Sequence, residues 1–281
     1  MKVYISADIE GVSGIISWSQ CGRPNGEHYD YAWARQRMTA DVNSAIRGAK
    51  KAGATEIVVK DSHGNSKNLL ADQLEPGTRL ITGHGASSQG MMAGIDRSFA
   101  AAMLIGYHAM AGTQGAVMEH TVTGFVHRLK INGKPAGEIA LSAGVAGCYD
   151  VPVVAVSSDA AGCAEALELL PGVRTASVKT GMGRYMAECL HPSDAEALIE
   201  KTAFDGLNAA STLDPWLPDS PTTITIELNR SEEADLVAVR LPNCVRADSY
   251  TVEVTADSYA QAHQMAWAVF SLGSLGRSSH D

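Results

Sequence analysis

Asp8 and Glu10 stand two residues apart where an apolar strand gives way to a turn, in the run Ser6-Ala7-Asp8-Ile9-Glu10-Gly11-Val12-Ser13-Gly14. Side chains alternate along a strand, so both carboxylates point to the same face. Two anions aimed together repel each other unless a metal ion, a basic side chain or a shared proton lies between them. Four later runs add groups that ligate metals or move protons: Asp61-Ser62-His63, Gly106-Tyr107-His108-Ala109, Met118-Glu119-His120-Thr121 and Gly137-Glu138. Each lies just beyond a strand, loop or hairpin arm, beside small residues. Singly, each has an ordinary explanation: Asp8 as a turn cap, His108 as a satisfied core imidazole, Glu138 as a helix-start carboxylate. Together at strand ends, the six are poorly explained that way. Ligands of parallel α/β sheets bind beyond the carboxyl ends of the strands. Asp8, Glu10, His63 and His108 would therefore gather on one edge, with His120 and Glu138 reaching in from the adjoining hairpin. Such a mixed nitrogen and oxygen set suits zinc and, less selectively, manganese or iron. Three carboxylates carry enough charge for two divalent ions, with Asp8 the candidate bridge.

The elements that must position these residues read as an α/β fold, a mostly parallel sheet flanked by helices with a smaller C-terminal α+β part. Strands are expected at Lys2–Asp8, Glu56–Lys60, Arg79–Thr82 and Ala101–Gly106, the last apolar throughout as in strands buried on both faces. An Ala-rich amphipathic helix over Tyr31–Ala52 closes at Gly53. Val122–Ile131 alternates and runs into Asn132-Gly133, a hairpin signal that demands positive φ at both positions. Helices follow over Glu138–Gly147, Ala160–Leu170 and Ser193–Asn208, with strands at Val151–Val156 and Arg174–Val178. The proline-rich stretch from Asp214 to Pro221 marks a boundary, giving a main part over 1–212 and a smaller one over 222–281 that packs on it. The smaller part carries strands at Thr222–Leu228 and Ser249–Val254 and a helix over Ser258–Phe270.

The chain of 281 residues is long enough for a large core, and 45% hydrophobic with 19% charged residues is ordinary for a globular protein. Its 22 Lys and Arg against 31 Asp and Glu give a formal charge of −9, which argues against nucleic-acid or anionic-membrane partners. The five cysteines are scattered without a C-x-x-C pair, which points to reduced thiols in the cytoplasm rather than disulfides or a thiolate zinc site. No secretory signal and no membrane-length apolar run is visible. Among the other histidines, His84 in Gly83-His84-Gly85 is the reserve candidate for the site. His28 falls in the polar Cys21–Asp30 loop, and His127 faces opposite to Val126. His191, His263 and His280 read as structural or exposed.

In these motifs, taken in order, the chain resembles the M55 peptidase family of zinc-dependent D-aminopeptidases. The resemblance rests on Asp8-Ile9-Glu10-Gly11-Val12-Ser13-Gly14, Asp61-Ser62-His63, Gly106-Tyr107-His108-Ala109, Val117-Met118-Glu119-His120-Thr121 and Gly137-Glu138, and it covers nearly the whole chain. It implies two Zn2+ ions per chain. Asp8 would bridge them, Glu10 would bind one, and His63, His108 and Glu138 would complete the coordination. It also implies that His120 is the catalytic residue, described in the family as a nucleophile. Chemistry favours His120 as a proton shuttle or transition-state stabiliser. The implied substrate is a small peptide with N-terminal D-Ala or glycine, its amine met by a carboxylate such as Glu119 or Glu10. The implied assembly is a ring-like homodecamer. Ser17–Asp30 is longer than the family pattern and follows the metal carboxylates directly, so it is placed to reshape substrate entry. Two other readings keep the metal. One is a two-metal amidohydrolase or phosphoesterase, disfavoured as to phosphate because no Walker-type loop or arginine cluster accompanies the motifs. The other is a binding protein with a structural metal in a closed shell.

Overall fold

A computed structural model describes residues 1–22, 29–85 and 87–278. The first strand, β1 (Lys2–Ala7), feeds both cores through its alternation: Val3, Ile5 and Ala7 face one hydrophobic cluster and Tyr4 the other. Then come α1 (Tyr29–Lys51), β2 (Glu56–Asp61), β3 (Thr78–Ile81) and β4 (Ala101–Ile105). Gly53 ends α1 at φ +91°, where a side chain would be strained, and its N–H caps the Lys50 carbonyl. The Asn132-Gly133 turn joins β5 (Val126–Ile131) to β6 (Lys134–Pro135) with φ of 48° and 78°, as a two-residue hairpin requires. Next are α2 (Glu138–Gly147), β7 (Val153–Asp159), α3 (Ala160–Leu169), β8 (Arg174–Gly183), β9 (Met186–Cys189) and α4 (Pro192–Asn208). The chain closes with β10 (Thr222–Leu228), α5 (Ser231–Arg240), β11 (Cys244–Arg246), β12 (Thr251–Ala256) and α6 (Tyr259–Ser278).

Seven strands form the main sheet in the order β3-β2-β1-β4-β7-β8-β9, parallel except for β9. The chain winds outward from β1 to β3, then returns to the far side of β1 to continue with β4. That reversal opens a crevice at the carboxyl ends of β1 and β4. On one face α1 and α4 bury Met38, Val42, Ile46 and Ile199 against the sheet. The other face is covered by α2, α3 and α6 together with an antiparallel sheet in the order β11-β12-β10-β5-β6. The C-terminal strands therefore join the β5–β6 hairpin, with β10 paired to β5 from Ile224–Ile131 to Leu228–Val126.

The expected α/β architecture is present, with local differences. The segment before Val126 is loop rather than strand, because Val122 takes φ +63°, outside the extended region. The strand expected at 151–156 is shifted to 153–159, and the one at 249–254 to 251–256. Two elements carried too little pattern to be expected: the short helix α5 and the β8–β9 hairpin, whose turn runs through Gly183 at φ +155°.

Candidate metal centre and active site

Three tight structural features bring the motif residues together at the crevice. Asp8 is the first residue beyond β1, and its backbone N–H binds the Ile105 carbonyl of β4. The turn after it runs so close to β4 that a Cβ on Gly11 would lie 1.8 Å from the Tyr107 carbonyl. Gly106, at φ +74°, lets β4 leave the sheet beside Asp8. Behind these strand ends a buried hydroxyl chain links Ser62 to Ser6 (2.7 Å), Ser6 to Tyr107 (2.7 Å) and Tyr107 to Ser142 (2.9 Å).

All six sequence-predicted residues lie in this buried cluster, Asp8 with 2% and Glu10 with 1% of its surface exposed. The Asp8 carboxylate divides its two oxygens. Oδ1 is 3.1 Å from His63 Nδ1, and Oδ2 is 3.6 Å from His108 Nε2. Glu10 Oε2 lies 3.0 Å from His63 Nδ1, and Glu138 Oε1 lies 3.2 Å from His108 Nε2. His120 Nε2 faces Glu138 Oε1 at 3.7 Å and Glu10 Oε1 at 3.9 Å.

Each imidazole is oriented by a backbone carbonyl on its other nitrogen. His63 Nε2 donates to Cys21 O at 2.9 Å, His108 Nδ1 to Ala109 O at 3.0 Å, and His120 Nδ1 to Met118 O at 3.0 Å. A carbonyl only accepts, so that nitrogen carries the proton, and in the neutral ring the nitrogen facing the carboxylates is a bare lone pair. Lone pairs and carboxylates crowded together are repulsive unless a cation or an extra proton joins them. Both Glu10 oxygens and His108 Nε2 are buried without a hydrogen-bond partner among the described residues. Bonds of about 2.0–2.1 Å to a tetrahedral zinc put neighbouring ligand atoms about 3.3 Å apart. Separations of 3.0, 3.1, 3.2 and 3.6 Å match that spacing. The donor set therefore fits metal ions, and such ligand groupings are formed by Asp8, Glu10 and His108, by His108, His120 and Glu138, and by Glu10, Cys21 and His63.

The electrostatics separate the three histidines. Burial opposes charge on His63, but Glu10 and Asp8 hold its imidazole well above the ordinary range. Burial likewise opposes charge on His108, and Glu138 and Asp8 overcome it. Burial and the neighbouring His108 push His120 down to about 4. Burial, reinforced by Glu10, pushes the Asp8 carboxyl up to about 7. Positive charge is thus favoured at His63 and His108, either side of Asp8, and disfavoured at His120.

His120 is also held by its backbone. Met118 has φ +54° and Val122 φ +63°. For a β-branched residue this is a strained conformation that costs on the order of 1–3 kcal/mol. It is maintained by Met118 N–H on Arg184 O (2.9 Å) and Val122 N–H on Glu138 Oε1 (2.6 Å). The ring stacks on His108 at 4.0 Å between centroids and meets Trp18 edge-on at 5.0 Å.

The M55 D-aminopeptidase family model matches residues 1–268. The chain belongs to the M55 peptidase family. A curated D-aminopeptidase of Bacillus subtilis (strain 168) is 36% identical over 267 residues, covering 94% of both chains. A solved structure of the Zn-dependent D-aminopeptidase DppA from Bacillus subtilis, described as a self-compartmentalizing protease, superposes with a TM-score of 0.92 at 33% identity over 98% of each chain.

In this M55 chain the carboxylates open into a cavity of about 300 Å3, walled on its far side by Trp267, Phe270, Ser271 and Ser274 of α6. His84 is exposed and lines the same cavity without joining the carboxylate cluster. Glu119 does not line this cavity and is paired with Arg184 at 3.0 Å. His28 and the rest of residues 23–28 of the Ser17–Asp30 loop lie outside the described residues. His127 is exposed and His191 caps α4, while His263 is buried and bonded to Ser88 O. Cys148, Cys163, Cys189 and Cys244 are free thiols. No helix among the described residues is long and apolar enough to cross a membrane.

Sequence reasoning passed over Lys179. This lysine, 2% exposed on β8, donates to the carbonyls of Glu10 (2.5 Å), Val12 (2.9 Å) and Ile15 (2.6 Å). It pins the turn that carries Glu10, and burial pushes its ammonium down to about 8. The signal available was a lone lysine at the end of a strand-like run.

Proposed function

We propose that this chain is a dinuclear-zinc aminopeptidase that removes N-terminal D-Ala or glycine from short peptides. Family membership makes it a metal-dependent aminopeptidase. One observation supports the dinuclear form: the Asp8 carboxylate gives one oxygen to a His63–Glu10 group and the other to a His108–Glu138 group. Asp8 would bridge, Glu10 and His63 would hold one ion, and His108 and Glu138 the other. Zinc bound there supplies a Lewis acid for the scissile carbonyl and lowers the pKa of water.

The protein's own groups do the rest. His120 is neutral at working pH, and its Nδ1–H is committed to Met118 O. Its Nε2 is thereby left as a base that can take a proton from the attacking water and return it to the leaving amine. Stacking on His108 and the edge of Trp18 fix the ring plane. Met91, Val122, Trp267 and Phe270 give the cavity apolar walls suited to a small side chain. Among the cavity carboxylates, Glu10 is the candidate partner of the substrate amine.

We further propose assembly into a ring-like decamer. The β8–β9 hairpin supports this by exposing Met182, Tyr185 and Met186, apolar side chains suited to contact another copy. The same hairpin carries Arg184, which braces Glu119 and Met118, so assembly would bear on the His120 loop. Light scattering on the purified protein should show an assembly of ten chains, and a monomer at working concentration would refute it.

The functional test pairs metal analysis with turnover. Two zinc ions per chain are expected, with hydrolysis of D-Ala-D-Ala abolished by chelation and restored by zinc. Full activity after exhaustive chelation would overturn the reading. His120→Ala should keep its metal and lose turnover, and loss of both together would make His120 a ligand instead.

A further inference from the structure

The metal-lined cavity adjoins a second one of about 480 Å3, and Ser62, His84, Met91, Trp267 and Ser271 line both. Lys60, near the end of β2, lines the second cavity. Its side chain belongs to a residue only 5% exposed, and its ammonium donates to the Asp61 carbonyl and to Ser66 Oγ, the latter at 2.9 Å. An ammonium has three N–H donors, so one remains for a further acceptor. The adjacent carboxylate acts on it only through space and makes no contact with the ammonium: the Asp61 oxygens accept from the Asn68 and Leu69 N–H groups and from Asn68 Nδ2. Among the described residues no carboxylate forms a salt bridge with Lys60. Buried charges are ordinarily paired, because an uncompensated one is costly. A buried cation with a spare donor, beside a cavity continuous with the reaction site, calls for an anionic ligand.

Resting on the aminopeptidase reading, we propose that Lys60 binds the free α-carboxylate of a short peptide whose N-terminal residue occupies the metal-lined cavity. The substrate class is then the dipeptide acid. Two residues of extended chain span about 7 Å, which reaches from one cavity into its neighbour. Trp267 and Ser62, shared by both cavities, would flank the peptide where it passes. A longer peptide or a blocked C-terminus would bring an uncharged group to the ammonium and leave it unpaired. Lys60 would thus set substrate length without touching the scissile bond.

The test compares wild type, Lys60→Met and Lys60→Arg on D-Ala-D-Ala and on D-Ala-D-Ala amide. Wild type should favour the acid over the amide in kcat/KM by roughly 10- to 100-fold, the span of one charge-assisted hydrogen bond. In Lys60→Met that ratio should fall toward one, chiefly through KM for the acid, and Lys60→Arg should recover part of it. Equal losses on acid and amide, as a purely structural lysine would give, overturn the proposal. So does a wild type that does not discriminate. A second measurement stands apart from hydrolysis: quenching of tryptophan fluorescence by N-acetyl-D-alanine and by its amide. Wild type should bind the acid at least tenfold more tightly, and Lys60→Met should bind both alike. If zinc-loaded wild type hydrolyses neither dipeptide, the aminopeptidase reading fails, and the binding comparison still decides whether Lys60 holds a carboxylate.

Discussion

Replacing Lys179 with methionine should loosen the metal-binding turn from beneath. The side chain keeps its length and loses its ammonium, leaving the carbonyls of Glu10 and Ile15 without their donor, while Val12 O keeps the Ile15 N–H. A buried acceptor left unpaired costs about 1–3 kcal/mol, so two cost about 2–6 kcal/mol. Against this stands the relief of no longer holding a charge in the interior. The ammonium is pushed from 10.5 down to about 8, which at ~1.36 kcal/mol per pKa unit is worth about 3 kcal/mol. The net loss centres near ~1 kcal/mol, or roughly 2–4 °C in the melting temperature of a chain this large. The turn also carries the Glu10 side chain, so one zinc should be released at chelator concentrations that leave wild type loaded. Thermal unfolding of the metal-free protein and chelator competition on the loaded one measure the two effects separately. A variant that melts within about 2 °C of wild type and holds both ions as tightly would refute the reasoning.

Asp8→Asn should lose both metal ions and Glu10→Gln mainly one, because Asp8 spans both imidazole groups while the short contact of Glu10 is to His63 alone. Elemental analysis of the purified variants decides it, and equal losses would remove Asp8 from the bridge. Burial holds His263 at about 4, below its ordinary 6.5, so the unfolded chain takes up a proton first as pH falls. Stability should drop by up to about 3 kcal/mol between pH 6.5 and 4, seen by urea denaturation at both ends. His263→Phe, which keeps a ring against Trp267, should abolish that component; an unchanged pH dependence would refute it. Asp41 shows the opposite sign. Burial raises its carboxyl to about 7, so the folded state keeps a proton that the unfolded state has released. Asp41→Asn should therefore stabilise the protein at pH 8, by at most about 4 kcal/mol, and give little benefit at pH 4.

The elements legible in the sequence were those whose pattern is local. An apolar run bounded by glycine marked β4, Asn132-Gly133 marked the hairpin, and α2 begins at Glu138 as its composition indicated. Less visible was what depends on distant partners. The β5–β6 hairpin pairs with strands almost a hundred residues later, and nothing in its own alternation names β10 as its neighbour. The short helix α5 opens on Ser231-Glu232-Glu233 and ends on Arg240, so its charged ends resemble a loop, whereas α2 and α3 of the same length are Ala-rich. The backbone at Val122 runs against residue preference altogether. It is imposed by Glu138 and by the Arg184 backbone acting at Met118, so the alternation there misled.

The convergence of the six candidate residues was legible, but the electrostatic difference among their histidines was not, and the reason is spatial. His63, His108 and His120 sit in similar short motifs, and each gives one ring N–H to a backbone carbonyl. Residue type and local tether therefore do not distinguish ligand from base. The distinction comes from stacking. His108 and His120 lie 4.0 Å apart in nearly parallel planes, so charge on one disfavours charge on the other. His108 is the nearer to Glu138, at 3.2 Å against 3.7 Å, and also faces Asp8, whereas His120 has only the more distant Glu10 at 3.9 Å. The positive pole therefore settles on His108, and His120 is driven to the neutral form that proton transfer requires. The pairing also ties reactivity to metal content. A cation held by Asp8, His108 and Glu138 would keep positive charge beside His120 and disfavour a proton on its ring, so loading the centre and keeping His120 neutral would be one electrostatic event.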